Sequence, residues 1–303
     1  MAYLLLVFTV LFWVGNSVLA RAIHLEFPPV TLAFTRWSLA LVLILPFLIP
    51  RLRRDWPIIR AHWKIILLLG ILGVACFNTL IYTGLQTTLA TNATLLHSAI
   101  PVVILIISRV FLKQAVGARQ WLGVGISMTG VLVLLTQARL EALLQLEFNR
   151  GDLWVLAGVI DWALYSVLLR YRPLELGAFT FFGITVLIGA TALLLPALIE
   201  LYSGHMPQVT SRTLGTVLYM AVFPSILSYL CWNRGVAELG APVAGLFIHL
   251  MPLFGLLLSV LILGERVQSF HFAGIALIFV GIYLAVVSQT LRSIKPVEPP
   301  CKN

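Results

Sequence analysis

Charge is the scarcest commodity in this 303-residue chain: Asp, Glu, Lys and Arg make up 10% of it, against 60% apolar residues. An ordinary soluble domain carries about a quarter charged residues, so a water-exposed globular domain is excluded. Cysteine is nearly missing. Cys76 and Cys231 fall inside apolar stretches and Cys301 near the end, which leaves neither a disulfide framework nor a metal-ligand spacing. The signatures of soluble catalysis are lacking too: there is no glycine-rich phosphate loop, no HExxH, no GxSxG and no cluster of Cys and His. No metal, cofactor or nucleic acid is therefore expected. An integral-membrane enzyme would need a charged or metal-binding surface loop, and the connections are short, 137–152 being the longest.

What is present is apolar sequence in stretches of about 20 residues, enough at 1.5 Å per residue to cross a hydrocarbon core of about 30 Å. Ten such stretches are read, at 3–22, 29–50, 65–86, 89–111, 117–136, 153–171, 177–200, 213–234, 241–263 and 269–288. The mean hydropathy is +1.03, and the expectation is an all-α protein of the inner (plasma) membrane with ten transmembrane helices. The net charge of +9 is explained by placement. With the N-terminus cytoplasmic, loops, span ends and tail on that side hold 14 Lys and Arg residues and the opposite side holds 5, while Arg36 lies within a span. This is the positive-inside bias, and it puts both termini in the cytoplasm. A signal peptide ending at Ala20 would need a basic segment before it, which is missing, so the first stretch stays a structural helix.

The chain also repeats itself. Displaced by 151, Gly84 falls on Gly235, Ala93 on Ala244, Pro101 on Pro252, Ser108 on Ser259, Gly123 on Gly274 and Gly130 on Gly281. Displaced by 149, Trp13, Ser17, Val18, Leu19 and Arg21 fall on Trp162, Ser166, Val167, Leu168 and Arg170; displaced by 150, Leu45-Pro46 falls on Leu195-Pro196. Five spans per copy is an odd number, so the second copy enters the membrane from the opposite side and the two repeats are inverted. The expected organisation is a first repeat at 1–136, a linker at 137–152 and a second repeat at 153–288. Glu141, Leu143, Leu144 and Leu146 read as a helix in that linker, and the proline-rich segment 289–303 reads as a disordered cytoplasmic tail.

These details resemble the drug/metabolite transporter superfamily, specifically the ten-helix permeases made of two tandem EamA-type domains. The residues that carry the resemblance are Phe12-Trp13-Val14-Gly15-Asn16-Ser17, Arg36, Gly70 to Gly73 followed by Asn78, Tyr82 and Leu85, then Pro101 and Pro252, Leu263-Gly264-Glu265, and the Gly274 to Gly281 spacing. The likeness covers about residues 3–288. Gln114 departs from it, standing where the first domain usually has the acidic residue that Glu265 supplies in the second. The resemblance implies export or exchange of small metabolites without fixing which.

Several polar residues inside the spans are candidate lining of a substrate cavity. Asp161 lies nine residues beyond Asp152, ~13 Å deep, and Arg36 lies eight beyond Pro28, ~12 Å deep, from the same side. A lone charge in hydrocarbon costs at least ~2.5–3.5 kcal/mol, so both should face a wet cavity or each other, as transport residues or as a fixed ion pair. Thr87, Thr91, Thr94 and Ser98 form one helical stripe with His97 at its edge, which either lines a cavity or lets two helices pack closely. The matching face later in the chain holds Pro242, Gly245, His249, Pro252 and Ser259. His97 and His249 are read either as hydrogen-bonded interior histidines or as proton carriers. Pro101 and Pro252 are the expected hinges, because each removes a helical hydrogen bond.

Asn16, Asn78 and Asn92 add amides that need partners in lipid. Phe12, Trp13, Tyr82, Trp162, Tyr165 and Tyr229 supply aromatic walls, whereas Tyr3, Trp63, Trp121 and Trp154 are placed at the interfaces as anchors. The expected function is a permease that moves a small organic metabolite, an amino acid or related amphipathic compound, outward by alternating access. A coupling proton or counter-substrate, the bilayer and a second copy of the chain are its expected partners. The alternatives are an integral-membrane enzyme or an ion channel on the same duplicated scaffold.

Overall fold

A computed structural model describes residues 1–88, 90–114, 116–139, 141, 149–258, 260–261 and 267–293, without the side chains of 90, 91 and 287–293. Glu265, Ser259, residues 140 and 142–148 of the linker with the helix expected there, and the tail beyond residue 293 lie outside the described residues. Ten helices are long and apolar enough to cross a membrane: α1 (Ala2–Ala22), α2 (Pro29–Ala61), α3 (Trp63–Gly84), α4 (Asn92–Val110), α5 (Ala118–Thr136), α6 (Arg150–Tyr171), α7 (Ala178–Tyr202), α8 (Ser211–Leu239), α9 (Ala241–Leu258) and α10 (Ser269–Val286). Large apolar side chains such as Leu4, Phe47, Leu195 and Phe279 stay exposed. In a bilayer that surface faces lipid rather than water, so leaving it uncovered costs nothing. Tyr3, Trp63, Trp121 and Trp154 are exposed as interfacial anchors should be.

Helix ends are fixed by recognisable local devices. Pro29 opens α2, where its missing N–H is no loss. The backbone N–H groups of Val30 and Thr31 donate to the Glu200 carboxylate at the end of α7, at 3.3 and 2.6 Å, placing an acid on the positive end of a helix. Asn149 caps α6 while Asp152 reaches back to the Asn149 N–H at 2.6 Å. The expected end of the second span at residue 50 is corrected: α2 continues to Ala61 through Pro46, Pro50 and Pro57, carrying its basic end beyond the apolar run. Likewise α8 continues past 234 to Leu239, where Gly240 at φ 80° stops it.

The packing obeys the duplication. Helix α1 lies on α8 and α3 on α6, contacts that exchange when one repeat is laid on the other; α2 meets α7, α4 meets α9 and α5 meets α10, each its own counterpart. A pseudo-twofold axis therefore passes between the repeats. Its closest approach is the crossing of α5 and α10. A Cβ on Gly123 would stand 2.6 Å from the Gly281 carbonyl oxygen, and one on Gly130 would stand 2.6 Å from that of Gly274. The repeat maps one contact onto the other, so the four glycines recorded by the sequence spacing are one symmetric backbone contact.

Helices α3 and α8 depart from α geometry at matching points. Residues Ile71–Cys76 and Ala221–Leu227 are π-helical, and a displacement of 151 nearly superposes them. Widened turns expose backbone or side-chain acceptors that an α-helix would occupy, and they recur at functional sites. Helix α4 is interrupted at Ala99, just before Pro101, and α9 at Phe247–Leu250, just before Pro252. Each of the two prolines expected as hinges follows an interruption of its helix.

Candidate substrate cavity

Side chains from three helices, one of them in a π segment, converge on Arg36, which is 1% exposed. Its Nε donates to Ser225 Oγ in the π segment of α8 at 3.0 Å, and its Nη1 donates to Asn16 Oδ1 of α1 at 3.1 Å and to the Tyr82 hydroxyl of α3. Tyr82 also donates to Asn16 Oδ1 at 3.0 Å. Asp161 is not among its partners. The ion pairs among the described residues are Arg54–Asp55, Glu26–Arg212 and Arg234–Glu238, all near helix ends. The Arg36–Asp161 pair suggested by equal depth is thus not made, because depth says nothing about the direction in which a helix presents a side chain.

Around Arg36 lies a small central cavity of about 40 Å³. Of the expected residues, Asn16, Arg36, Asn78, Tyr82, His97, Trp162 and Tyr229 line it with the expected aromatic wall Trp13, joined by Phe77. Asn78 Nδ2 donates to the Tyr229 hydroxyl at 3.4 Å, and that hydroxyl donates to the Gly73 carbonyl in the other π segment. Asn78 and Tyr229 are each other's counterparts under the 151 displacement. The repeat also carries the Asn16–Tyr82 pair onto Tyr165 and Asn233, whose hydroxyl-to-Oδ1 bond is 2.8 Å, with the tyrosine and asparagine exchanged. Two copies of one polar couple survive in swapped chemistry, which residue-by-residue identity cannot reveal.

Six expected cavity residues lie elsewhere. Asn92 Nδ2 donates to Asp152 Oδ2 at 3.3 Å, beside a Thr88–Asp152 bond, and so serves the α6 N-terminus. Thr94 faces a larger space on the Arg21 side. Ser98 and His249 are counterparts that meet: His249 Nε2 lies 2.8 Å from the Ser98 carbonyl and its Nδ1 lies 2.6 Å from Ser127 Oγ. A carbonyl only accepts, so Nε2 carries a proton, and Nδ1 bonds Ser127 Oγ, which leaves both ring nitrogens satisfied. Tyr165 lies behind Trp162. Asp161 is buried off the cavity lining, within electrostatic reach of Cys76 and Tyr229, and its Oδ2 has no hydrogen-bond partner among the described residues. Phe12 packs on Phe223 instead, ring centroids 5.2 Å apart. The threonine stripe divides as well, since Asn149 holds the Thr87 carbonyl at 3.2 Å and the Thr91 side chain is not described.

Two larger spaces flank the centre. One, of about 510 Å³, lies toward the Arg21 end of α1 and shares Ser17, Ile81, His97 and Met251 with the central cavity. The other, of about 320 Å³, lies toward Arg170 and shares none of its lining with the centre. Ser17, Val18, Arg21 and Leu85 of the first correspond in the repeat to Ser166, Val167, Arg170 and Val236 of the second. Two equivalent vestibules therefore exist, one sharing lining residues with the centre and one sharing none. Beside the centre stands an aromatic layer. Trp162, fully buried, packs on Trp13, Phe77, Tyr165, Tyr229 and Trp232 with centroid separations of 4.5 to 5.5 Å.

The Gly73 and Pro224 positions were the only sequence signal for the π segments, and Ser225 had none, being one serine among many.

Comparison with known proteins follows the same division. Residues 1–136 and 149–287 each match the EamA-like transporter family. The chain is 30% identical over 259 residues to the uncharacterized transporter YyaM of Bacillus subtilis, covering 86% of this chain and 85% of that one. It is 26% identical over 294 residues to an uncharacterized transporter of Archaeoglobus fulgidus, covering 95% and 98%. A crystal structure with 20% identity superposes with a TM-score of 0.74 over 97% of this chain and 99% of the other, a likeness of fold.

Proposed function

Because the chain belongs to the EamA-like transporter family and is a multi-pass membrane transporter, we propose that its inverted halves carry a small amphipathic organic metabolite across the inner (plasma) membrane by alternating access. The observation that carries this reading is the pair of symmetry-related vestibules, of which one shares lining residues with the Arg36 cavity and the other shares none; the Trp162 layer is the proposed seal. Inverted repeats have two equivalent arrangements, and exchanging them would seal the Arg21 vestibule and open the Arg170 vestibule around the same arginine. With both termini cytoplasmic, the present arrangement faces outward, and the direction proposed is export, one of the two modes that the family resemblance implies. Pro101 and Pro252, each just past an interruption of its helix, are the places where α4 and α9 bend. The central arginine suits a compound with a carboxylate at one end, a class that includes amino acids, and the aromatic walls suit an apolar body.

Counterflow tests the reading. Proteoliposomes preloaded with single compounds from a panel of amino acids, amines and organic acids should accelerate entry of the same labelled compound for at least one member. Folded protein that accelerates none of a panel spanning all charge types is not a carrier of this kind.

A further inference from the structure

We propose, resting on the carrier reading above, that the transported species is a net anion, an organic acid with an apolar or aromatic body, and that zwitterionic amino acids and amines are excluded. Three observations converge.

The first is the absence of a counter-ion for Arg36. It is fully buried, its hydrogen-bond partners are all neutral, and no carboxylate among the described residues lies within 4.0 Å of it. A buried charge is tolerated when something pairs with it, and here the pairing group has to come from outside. The second is the sign of the whole path. Arg21 stands in one vestibule, donating to the Leu85 carbonyl at 3.2 Å, and Arg170 and Arg172 stand in the other. Among the described residues no Asp or Glu lines the central cavity or either vestibule. Asp152 and Glu200 are held at helix ends, Glu26 and Glu238 in surface ion pairs and Asp55 by Arg54 and Thr180, while Asp161 is buried off the lining with its Oδ2 unpartnered among the described residues.

The third is an excess of hydrogen-bond donors. Trp162 Nε1, Trp232 Nε1 and Asn233 Nδ2 are buried without an acceptor among the described residues, as are the hydroxyls of Ser108 and Ser166, which line the Arg170 vestibule with Asn233. Idle donors beside arginines fit a ligand that only accepts, and a carboxylate is that ligand. An ammonium group would bring three more donors and a like charge. Aromatic faces could hold it, but the Arg36 guanidinium already lies 4.9 Å from the Trp37 centroid and 5.9 Å from that of Tyr82, so a second cation there would meet a like charge.

Two matched series test the proposal on the unmodified protein: 3-phenylpropanoate, phenylalanine and 2-phenylethylamine, and pentanoate, norvaline and butylamine. Binding is read from tryptophan fluorescence of the purified protein, and flux from proteoliposome counterflow. An anion should bind and move while its zwitterionic and cationic partners do so about tenfold more weakly or not at all. Arg36→Gln should weaken anion binding about ten- to a hundredfold, the usual weight of a charge-assisted hydrogen bond, and Arg36→Lys should recover part of it. Preference for phenylalanine, norvaline or either amine overturns the proposal and leaves the carrier reading standing. So does failure of both anions to bind. Binding of an anion with no flux in either series overturns the carrier reading while the anion site stands.

Discussion

The Trp162 layer makes a quantitative claim about access. Reaching Arg36 from the Arg170 vestibule requires parting Trp162 from Tyr165, Tyr229 and Trp232. At about 0.5–1.5 kcal/mol for each ring pair beyond simple burial, opening costs about 1.5–4.5 kcal/mol, which suppresses access roughly ten- to two-thousandfold. Trp162→Ala removes that barrier outright. The assay is a cysteine at Ile100, which lines the central cavity and not the Arg170 vestibule, in a background with Cys76, Cys231 and Cys301 replaced by serine. A membrane-impermeant thiol reagent is applied to oriented proteoliposomes from each side in turn. Labelling from the Arg170 side should rise by one to three powers of ten in Trp162→Ala and little in Trp162→Phe, which keeps a ring. Labelling from the Arg21 side should hardly change. The alanine variant also leaves a cavity at a fully buried site and should lose about 3–5 kcal/mol of stability, so a second variant, Trp162→Leu, keeps volume without ring pairs and secures the accessibility measurement. If both folded variants label from the Arg170 side at the parent rate, Trp162 is not the seal.

Three further outcomes are expected. Ser127→Ala leaves Nδ1 of the buried His249 without its partner and should lower stability in detergent by about 1–3 kcal/mol, read as a fall in the thermal midpoint; an unchanged midpoint would mean the 2.6 Å contact is idle. Pro101→Ala and Pro252→Ala should insert normally yet slow the exchange of accessibility between the two vestibules, since each restores an N–H that straightens α4 or α9; parent-rate exchange in both removes the hinge role. Single cysteines replacing Arg54 and Met206, both exposed, should label from the inner and outer faces of intact cells respectively, and the reverse pattern would invert the topology.

Hydropathy, loop charge and internal spacing are properties of position along the chain, and they carried much of this molecule. Ten spans, two inverted copies, the glycines of the α5–α10 contact and the paired prolines were all legible, because membrane insertion and duplication act on sequence segments before any tertiary contact exists. The same information identified Arg36, Asn78, Tyr82, Trp162 and Tyr229 as interior polar or aromatic groups. It could not orient them. A helix turns 100° per residue, so the equal depth of Arg36 and Asp161 left their directions free, and the fold turns one into the cavity and the other away. The roles of Ser225, Asn233 and the π segments could not be read either, since they arise from contacts such as Arg36–Ser225 that join residues 189 apart. What the tertiary structure alone decided is which vestibule adjoins the centre: the Arg21 space shares Ser17, Ile81, His97 and Met251 with it and the Arg170 space shares none of its lining. The repeat gives the two vestibules matching residues, so only packing in three dimensions distinguishes them.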